Sequence, residues 1–217
     1  MPILGVISGD IVKSQALRGH QLEVSLERLH EVLATLRERD LVKAFDIFRG
    51  DAFQIITTKP QSICVVAVLL RLFMASAKTP VAVRQSLAIG RVENLRESVK
   101  LSSGEAFVLS GRGLDNMQSQ LITLQLSNHE SSAALSLTTR LLDALLSEFS
   151  KNECEVLSHY LLKSYIDAET ITHADLAKVL NRSRSHITRQ LNKAYYELVV
   201  EYLNYTQKSI EELIEHG

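Results

Sequence analysis

The stretch "VISGDIVKSQAL", residues 6–17, decides how the first half of the chain is read. An apolar run stops at Asp10, and a helix-like stretch follows. Residues 44–57, "AFDIFRGDAFQIIT", repeat the arrangement: Asp51 follows Gly50 between two short runs rich in Phe and Ile. Asp, like Asn and Gly, is a common turn residue, so either pair alone could be a turn. Two Gly-Asp pairs at two strand ends still call for a physical reason.

Working outward, "ILGVIS" (3–8) is predicted as a buried strand. Residues 20–39 place Leu22, Leu26, Leu29, Val32, Leu33 and Leu36 at helical spacing. "LVKAFDIF" and "AFQIIT", joined by "RGD", predict a β-hairpin with Gly50 in its turn. Pro60 opens a helix through "SICVVAVLLRLFMASA", because a proline in the first turn gives up only an N–H that has no partner there. "VRQSLAIGRV" is expected as a strand, "GEAFVLSGRGLDNM" as a short, weak helix and "LITLQL" as a strand. The order β-α-β-β-α-β-α-β predicts an α/β (α+β) fold, with helices packed on one ferredoxin-like sheet. After about residue 130 only helical patterns remain. The polar "SNHESS" at 127–132 is the expected linker between a domain at 1–127 and a helical domain at 133–217.

In a ferredoxin-like sheet the first strand lies beside the strands of the hairpin, so Asp10 and Asp51 are expected to meet at one edge. Carboxylates brought together repel unless a cation lies between them or one takes up a proton. Mg²⁺ or Mn²⁺ needs only one or two carboxylates and takes its other oxygens from water and phosphate. A helix N-terminus after Asp10 would add N–H groups suited to phosphate. The plainer alternative is that Asp10 caps the next helix and Asp51 is a turn residue.

"SGDIVKS" and "FRGDAFQII" resemble the two metal-binding aspartate motifs of class III nucleotidyl cyclases, and "RGDAF" is similar to the GGDEF signature of diguanylate cyclases, which share a palm-type sheet. The resemblance runs to about residue 126. It implies metal binding by Asp10 and Asp51 and nucleotide contacts from Ile11, Ser14, Gly50 and Glu105. In "GEAFVLSGR" it places Arg112 where the family has its transition-state arginine, a catalytic role. The chain departs from the family at Val108, where an asparagine holds ribose, and at Ile47, where a lysine selects the purine. Ala52 replaces the acidic residue of GGDEF, and the last hairpin of the cyclases has no counterpart. As a whole, with "GDIVKS" near its start and a helix-turn-helix near its end, the chain resembles the SatD family of bacterial proteins. That likeness implies a fold more than an activity.

In "HADLAKVLNRSRSHITRQLNKA" (173–194), Leu176, Ala177 and Leu180 share a face of one helix, and Ile187 and Leu191 share a face of the next. Ser183 is placed to cap the second helix, and small Ala177 permits a close, steep crossing. The spacing resembles the bacterial helix-turn-helix of LuxR-type and sigma-factor domains, at about 172–194. Arg182, Ser183, Arg184, Ser185, Thr188, Arg189, Asn192 and Lys193 are then the candidate contacts to double-stranded DNA. Between 172 and 194 there are five Lys or Arg and one acid, although the formal charge of the whole chain is −1. The alternative is a helical hairpin with a solvated charged face. The last stretch puts Tyr195, Leu198, Val199, Tyr202, Ile210, Leu213 and Ile214 on one stripe, either core or a dimer helix.

The chain of 217 residues, 46% hydrophobic and 23% charged, is ordinary for a folded soluble protein. Cys64 and Cys154 lack metal-ligand spacing and are expected as buried thiols. No secretory leader pattern opens the sequence, and Arg71 interrupts the longest apolar run, so a cytoplasmic protein without a membrane partner is expected. The histidines are scattered without ligand spacing. Three functions follow: a DNA-binding transcriptional regulator whose cyclase-like domain binds a nucleotide and metal or dimerises; a metal-dependent nucleotidyl-transfer enzyme with a DNA-binding appendage; or a palm that serves only as scaffold. The departures at Val108 and Ile47 favour the first. A homodimer is expected from the resemblance and the terminal stripe.

Overall fold

The structure, a computed structural model, describes residues 1–48, 50–96, 98–126 and 129–216. The strands are β1 (Ile3–Ile11), β2 (Val42–Phe48), β3 (Ala52–Thr57), β4 (Val83–Asn94), β5 (Ser103–Gly104) and β6 (Ile122–Leu126). The α-helices are α1 (Gly19–Glu38), α2 (Ile63–Ala75), α3 (Glu105–Asp115), α4 (His129–Ser147), α5 (Lys151–Tyr160), α6 (His173–Val179), α7 (Arg184–Lys193) and α8 (Tyr196–His216). A π-turn, Leu161–Ile166, extends α5.

The sheet order is β2-β3-β1-β4, with β6 parallel to β4 and the short β5 on the far end of β4. The first four strands are antiparallel neighbours, as a βαββαβ unit requires. Alternation along β1 separates two faces. Ile7 and Ile11 point into the core under α1 and α2, whereas Leu4 and Val6 join Ala106 and Phe107 of α3 on the other side. Helix α3 lies very close to the sheet because Gly113 rests on Ser86; a Cβ there would fall 2.2 Å from the Ser86 Oγ.

Two expectations about the first strand change. β1 runs through Asp10 to Ile11, which pairs with Val83, so Asp10 sits within the strand. The chain then makes a three-residue 3-10 turn, Ser14–Ala16, after Lys13 in a left-handed conformation (φ 55°), and α1 starts only at Gly19 with Arg18 as its cap. Asp10 therefore caps no helix, and no long helix N-terminus directly follows it. Pro60 opens a 3-10 turn, Pro60–Ser62, that leads into α2. Of the linker expected at 127–132, residues 127 and 128 lie outside the described residues, and from 129 the chain is already helical. Arg49 of the hairpin turn also lies outside them.

Apart from the buried Arg71, helix α2 is apolar all round because it is covered on both sides, by the sheet and α1 and by α5 and α8. One core cluster runs from Ile7 through α2 to Ile210 of α8. Polar ties join the same parts: Arg39 Nε donates to Asp167 Oδ1 at 3.0 Å, and Gln61 Nε2 donates to Glu211 Oε1 at 3.1 Å. Cys64 and Cys154 are free and buried, and burial pushes each thiol up to about 11. Among the described residues no helix is long and apolar enough to cross a membrane.

Candidate functional site

The antiparallel register puts Arg84 of β4 directly opposite Asp10 of β1. Cross-strand neighbours share a face, so the two side chains meet. Arg84 Nε donates to Asp10 Oδ1 at 2.9 Å and its Nη2 donates to Asp10 Oδ2 at 2.5 Å, a bidentate pair. Hydrogen bonding to Asp10 raises the Arg84 pKa, and the charges of Asp10 and Asp51 add to that. Asp51 sits in the β2–β3 turn, which Gly50 makes possible at φ +84°. Ser14 Oγ donates to Asp51 Oδ2 at 2.5 Å, and the Ile11 N–H donates to the Asp51 carbonyl at 3.2 Å.

The two aspartates thus border one corner, but its positive charge comes from Arg84. A hard divalent ion needs carboxylate oxygens as ligands at roughly 2.0–2.1 Å. Here both oxygens of Asp10 and one of Asp51 are already hydrogen-bonded. Among the described residues no group of three or more His, Cys, Asp or Glu is placed to hold a metal. As the side chains stand, Arg84 holds the Asp10 carboxylate that a divalent cation would use. The Ile11 side chain is buried in the α1/α2 core, so only its backbone belongs to the corner.

Glu105 lies elsewhere. Its Oε2 accepts the N–H of Arg91 at 3.1 Å and packs at Gly90, fastening α3 to β4. Arg91 is seven residues along β4 from Arg84, roughly 23 Å at strand rise. Helix α3 then returns along the sheet, and Gly113 beside Ser86 brings its last turn towards the aspartate corner. Arg112 is exposed there, and its side chain makes no hydrogen bond or ion pair among the described residues; Val108 is also exposed.

The second candidate region is built by α6 and α7. Thr172 caps α6 in a capping box with Asp175, and the Thr172 hydrogen bonds hold that carboxyl below its ordinary range. Asn181 takes the left-handed conformation (φ 51°), and the Arg182 N–H returns to the Ala177 carbonyl at 2.9 Å, closing α6. Ser183 Oγ accepts the His186 N–H at 3.2 Å and starts α7. Ile187 and Leu191 are buried against α5 and α6.

The opposite side of α7 faces outward. Arg184, Ser185, Thr188, Arg189, Asn192 and Lys193, with Tyr195, line one open groove of about 760 Å³. Six of the eight candidate DNA contacts are brought together. Two are not: Ser183 is engaged in the cap, and the Arg182 guanidinium lies 3.9 Å from Glu155 of α5, outside the groove. The sequence does not single out His173, and it puts Tyr195 on the terminal apolar stripe. His173 Nδ1 is 2.9 Å from Thr188 Oγ1 and fixes that side chain, while Tyr195 ends α7 in a left-handed conformation that projects its ring beside the groove.

No family model and no curated protein sequence matches the chain. Among solved structures it is similar to the guanylyl cyclase Cya2, at 14% identity and a TM-score of 0.45, over 64% of this chain and 78% of that one.

Proposed function

We propose that the protein binds double-stranded DNA through α7 and acts as a transcriptional regulator. The observation that carries this reading is the groove in which Arg184, Ser185, Thr188, Arg189, Asn192 and Lys193 converge on solvent. Hydrogen-bonding side chains on the N-terminal half of a helix suit base edges in the major groove, and the cations suit phosphates. Helix α6 lies behind α7, as the bracing helix of a helix-turn-helix does. The test is selection of genomic duplexes by the full-length protein at low salt, followed by affinity against salt. With all three groove cations on phosphate the slope of log K on log salt is about −3 per copy, and each one that reads a base instead makes it shallower by about 1. Retention of no duplex at low salt would overturn the reading.

Metal-dependent nucleotidyl transfer is the second reading. In its favour, Asp10 and Asp51 border one corner and Arg112 is carried towards the same end of the sheet. Against it stands Arg84, which a Mg²⁺ or Mn²⁺ nucleotide complex must displace from Asp10. Incubation with each nucleoside triphosphate and Mn²⁺, with analysis for cyclic or dinucleotide product, separates the two.

A further inference from the structure

We infer that His173 of α6 is a positioning residue for base recognition: it holds Thr188 of α7 in the one rotamer that this helix offers to the edge of a DNA base. The inference rests on the DNA-binding reading and deepens it. Thr188 is the residue after the buried Ile187, so its side chain leaves the helix roughly 100° further round. It therefore stands at the margin between the buried face and the groove, half-buried, whereas Arg184, Ser185, Arg189, Asn192 and Lys193 are exposed. From that margin it touches both sides. It lines the groove, and its Oγ1 lies 2.9 Å from the His173 Nδ1. Among the described residues it is the one groove side chain that a hydrogen bond ties to another helix.

A threonine inside a helix splits between two χ1 positions, because its hydroxyl can turn back onto a carbonyl three or four residues earlier. Thr138, Thr139 and Thr206 do this, donating to the carbonyls of Ala134 at 2.8 Å, Leu135 at 2.7 Å and Leu203 at 3.1 Å. The Thr188 hydroxyl is instead bonded across to α6. Exchanging the two positions swaps hydroxyl and methyl, and DNA tells these apart: a hydroxyl bonds a polar base edge, whereas a methyl packs on the thymine C5-methyl. A threonine that samples both presents a mixed signal, and the bond to His173 removes the choice. His173 is held in turn. Tyr196 packs edge-on against its ring with centroids 6.1 Å apart, and Tyr160 packs edge-on against Tyr196 at 5.2 Å. This line of contacts runs from α5 and α8 to the groove, and a contact residue backed by packed neighbours keeps its geometry when a ligand arrives.

Bracing α6 on α7 does not need this bond. Leu176 and Ala177 of α6 and Ile187 and Leu191 of α7 are already buried in one core. By contrast, the side chains of Arg184, Arg189, Asn192 and Lys193 make no hydrogen bond or ion pair among the described residues, so they adapt to the duplex while Thr188 is set in advance.

The test is selection from a randomised duplex library by the full-length protein at one fixed low salt, with each variant checked for unchanged circular dichroism. Thr188→Ala identifies the base position that Thr188 reads, as the one whose preference it flattens. His173→Ala and His173→Phe, the second keeping a ring against Tyr196, should reduce preference at that same position by roughly three- to tenfold and leave the other positions and the salt slope as they were. His173→Asn, which puts a polar atom where Nδ1 stands, should restore most of it. Adding His173→Ala to Thr188→Ala should change nothing further at that position. Uniform weakening on all duplexes by His173→Ala and His173→Phe would mean that the residue only braces α6, and overturns the inference. So does a Thr188→Ala variant that flattens no position, a His173→Asn variant that restores nothing, or a further loss in the double variant. A wild type that selects a sequence which the His173 variants select equally well leaves the DNA-binding reading standing and removes this inference alone; a wild type that retains no duplex removes both.

Discussion

Arg71 of α2 and Asp143 of α4 form an ion pair at the seam between the sheet and the C-terminal helices, with only 5% and 6% of the two residues exposed. The Asp143 carboxylate also accepts the N–H groups of Leu121 at 3.1 Å and Ile122 at 3.1 Å, and Arg71 Nη2 donates to Ser147 Oγ at 2.8 Å. Asp143→Ala strands a buried guanidinium and two N–H groups. The expected loss is about 3–5 kcal/mol of unfolding free energy. Urea unfolding monitored on the whole chain checks it, and Asp143→Asn, which keeps an acceptor, should lose less.

Arg84 makes a sharp prediction about metal. With its guanidinium on Asp10, Mn²⁺ alone should leave the wild-type melting temperature unchanged. Arg84→Ser uncovers the carboxylates of Asp10 and Asp51. It should cost about 1 kcal/mol, the pair being partly exposed, and should make the melting temperature rise with Mn²⁺ by mass action. A wild type stabilised by Mn²⁺ alone would show that the guanidinium yields to the ion.

Base and phosphate contacts on α7 should separate by mutation. Arg184→Ala or Arg189→Ala should cost about 1–3 kcal/mol on the selected sequence and relax preference at one base position. Lys193→Ala should weaken binding to all duplexes alike and make the salt slope shallower by about 1. Titration of wild type and variants on the selected and a scrambled duplex reads both effects.

His159 gives the molecule a pH dependence. Burial pushes its pKa below the ordinary 6.5, Arg28 lowers it further, and Glu155 acts the other way; the ring packs edge-on against Phe73. A depressed pKa means the fold prefers the neutral ring. The contribution is therefore complete above 6.5 and is lost as pH falls from there through the folded value. His159→Gln should flatten that part of a stability profile measured from about pH 7.5 down to 5.

Much of this architecture is written in periodicities. Leu29, Leu33 and Leu36 at helical spacing, and Ile187 with Leu191, mark buried faces that the structure confirms, because burial of an amphipathic face is a local property of the chain. Most of the groove follows from the same pattern, since once Ile187 and Leu191 point inward, Ser185, Arg189, Asn192 and Lys193 fall on the opposite side; Arg184, three residues before Ile187, lies at the margin and is exposed because it opens the helix. Arg84 was not legible. Its partner is 74 residues away, and only the β1–β4 register sets them face to face. The end of β1 was misjudged because a carboxylate reads as a strand terminator unless a cross-strand arginine is known to neutralise it. The merging of α4–α8 with the sheet's core was also hidden: α2 being apolar on every side says that something covers it, but not which helices.

That all-round apolar helix has a consequence for how the protein is made. α2 ends at Ala75, while its outer cover, α5 and α8, ends at residues 160 and 216. A ribosome adding roughly 5–20 residues per second leaves that outer face bare for on the order of ten seconds after it emerges. The nascent chain therefore passes through an interval of sticky exposure that its finished surface does not betray. Chains stalled near residue 127 should crosslink to a holding chaperone, and the crosslinks should vanish once α8 has cleared the exit tunnel.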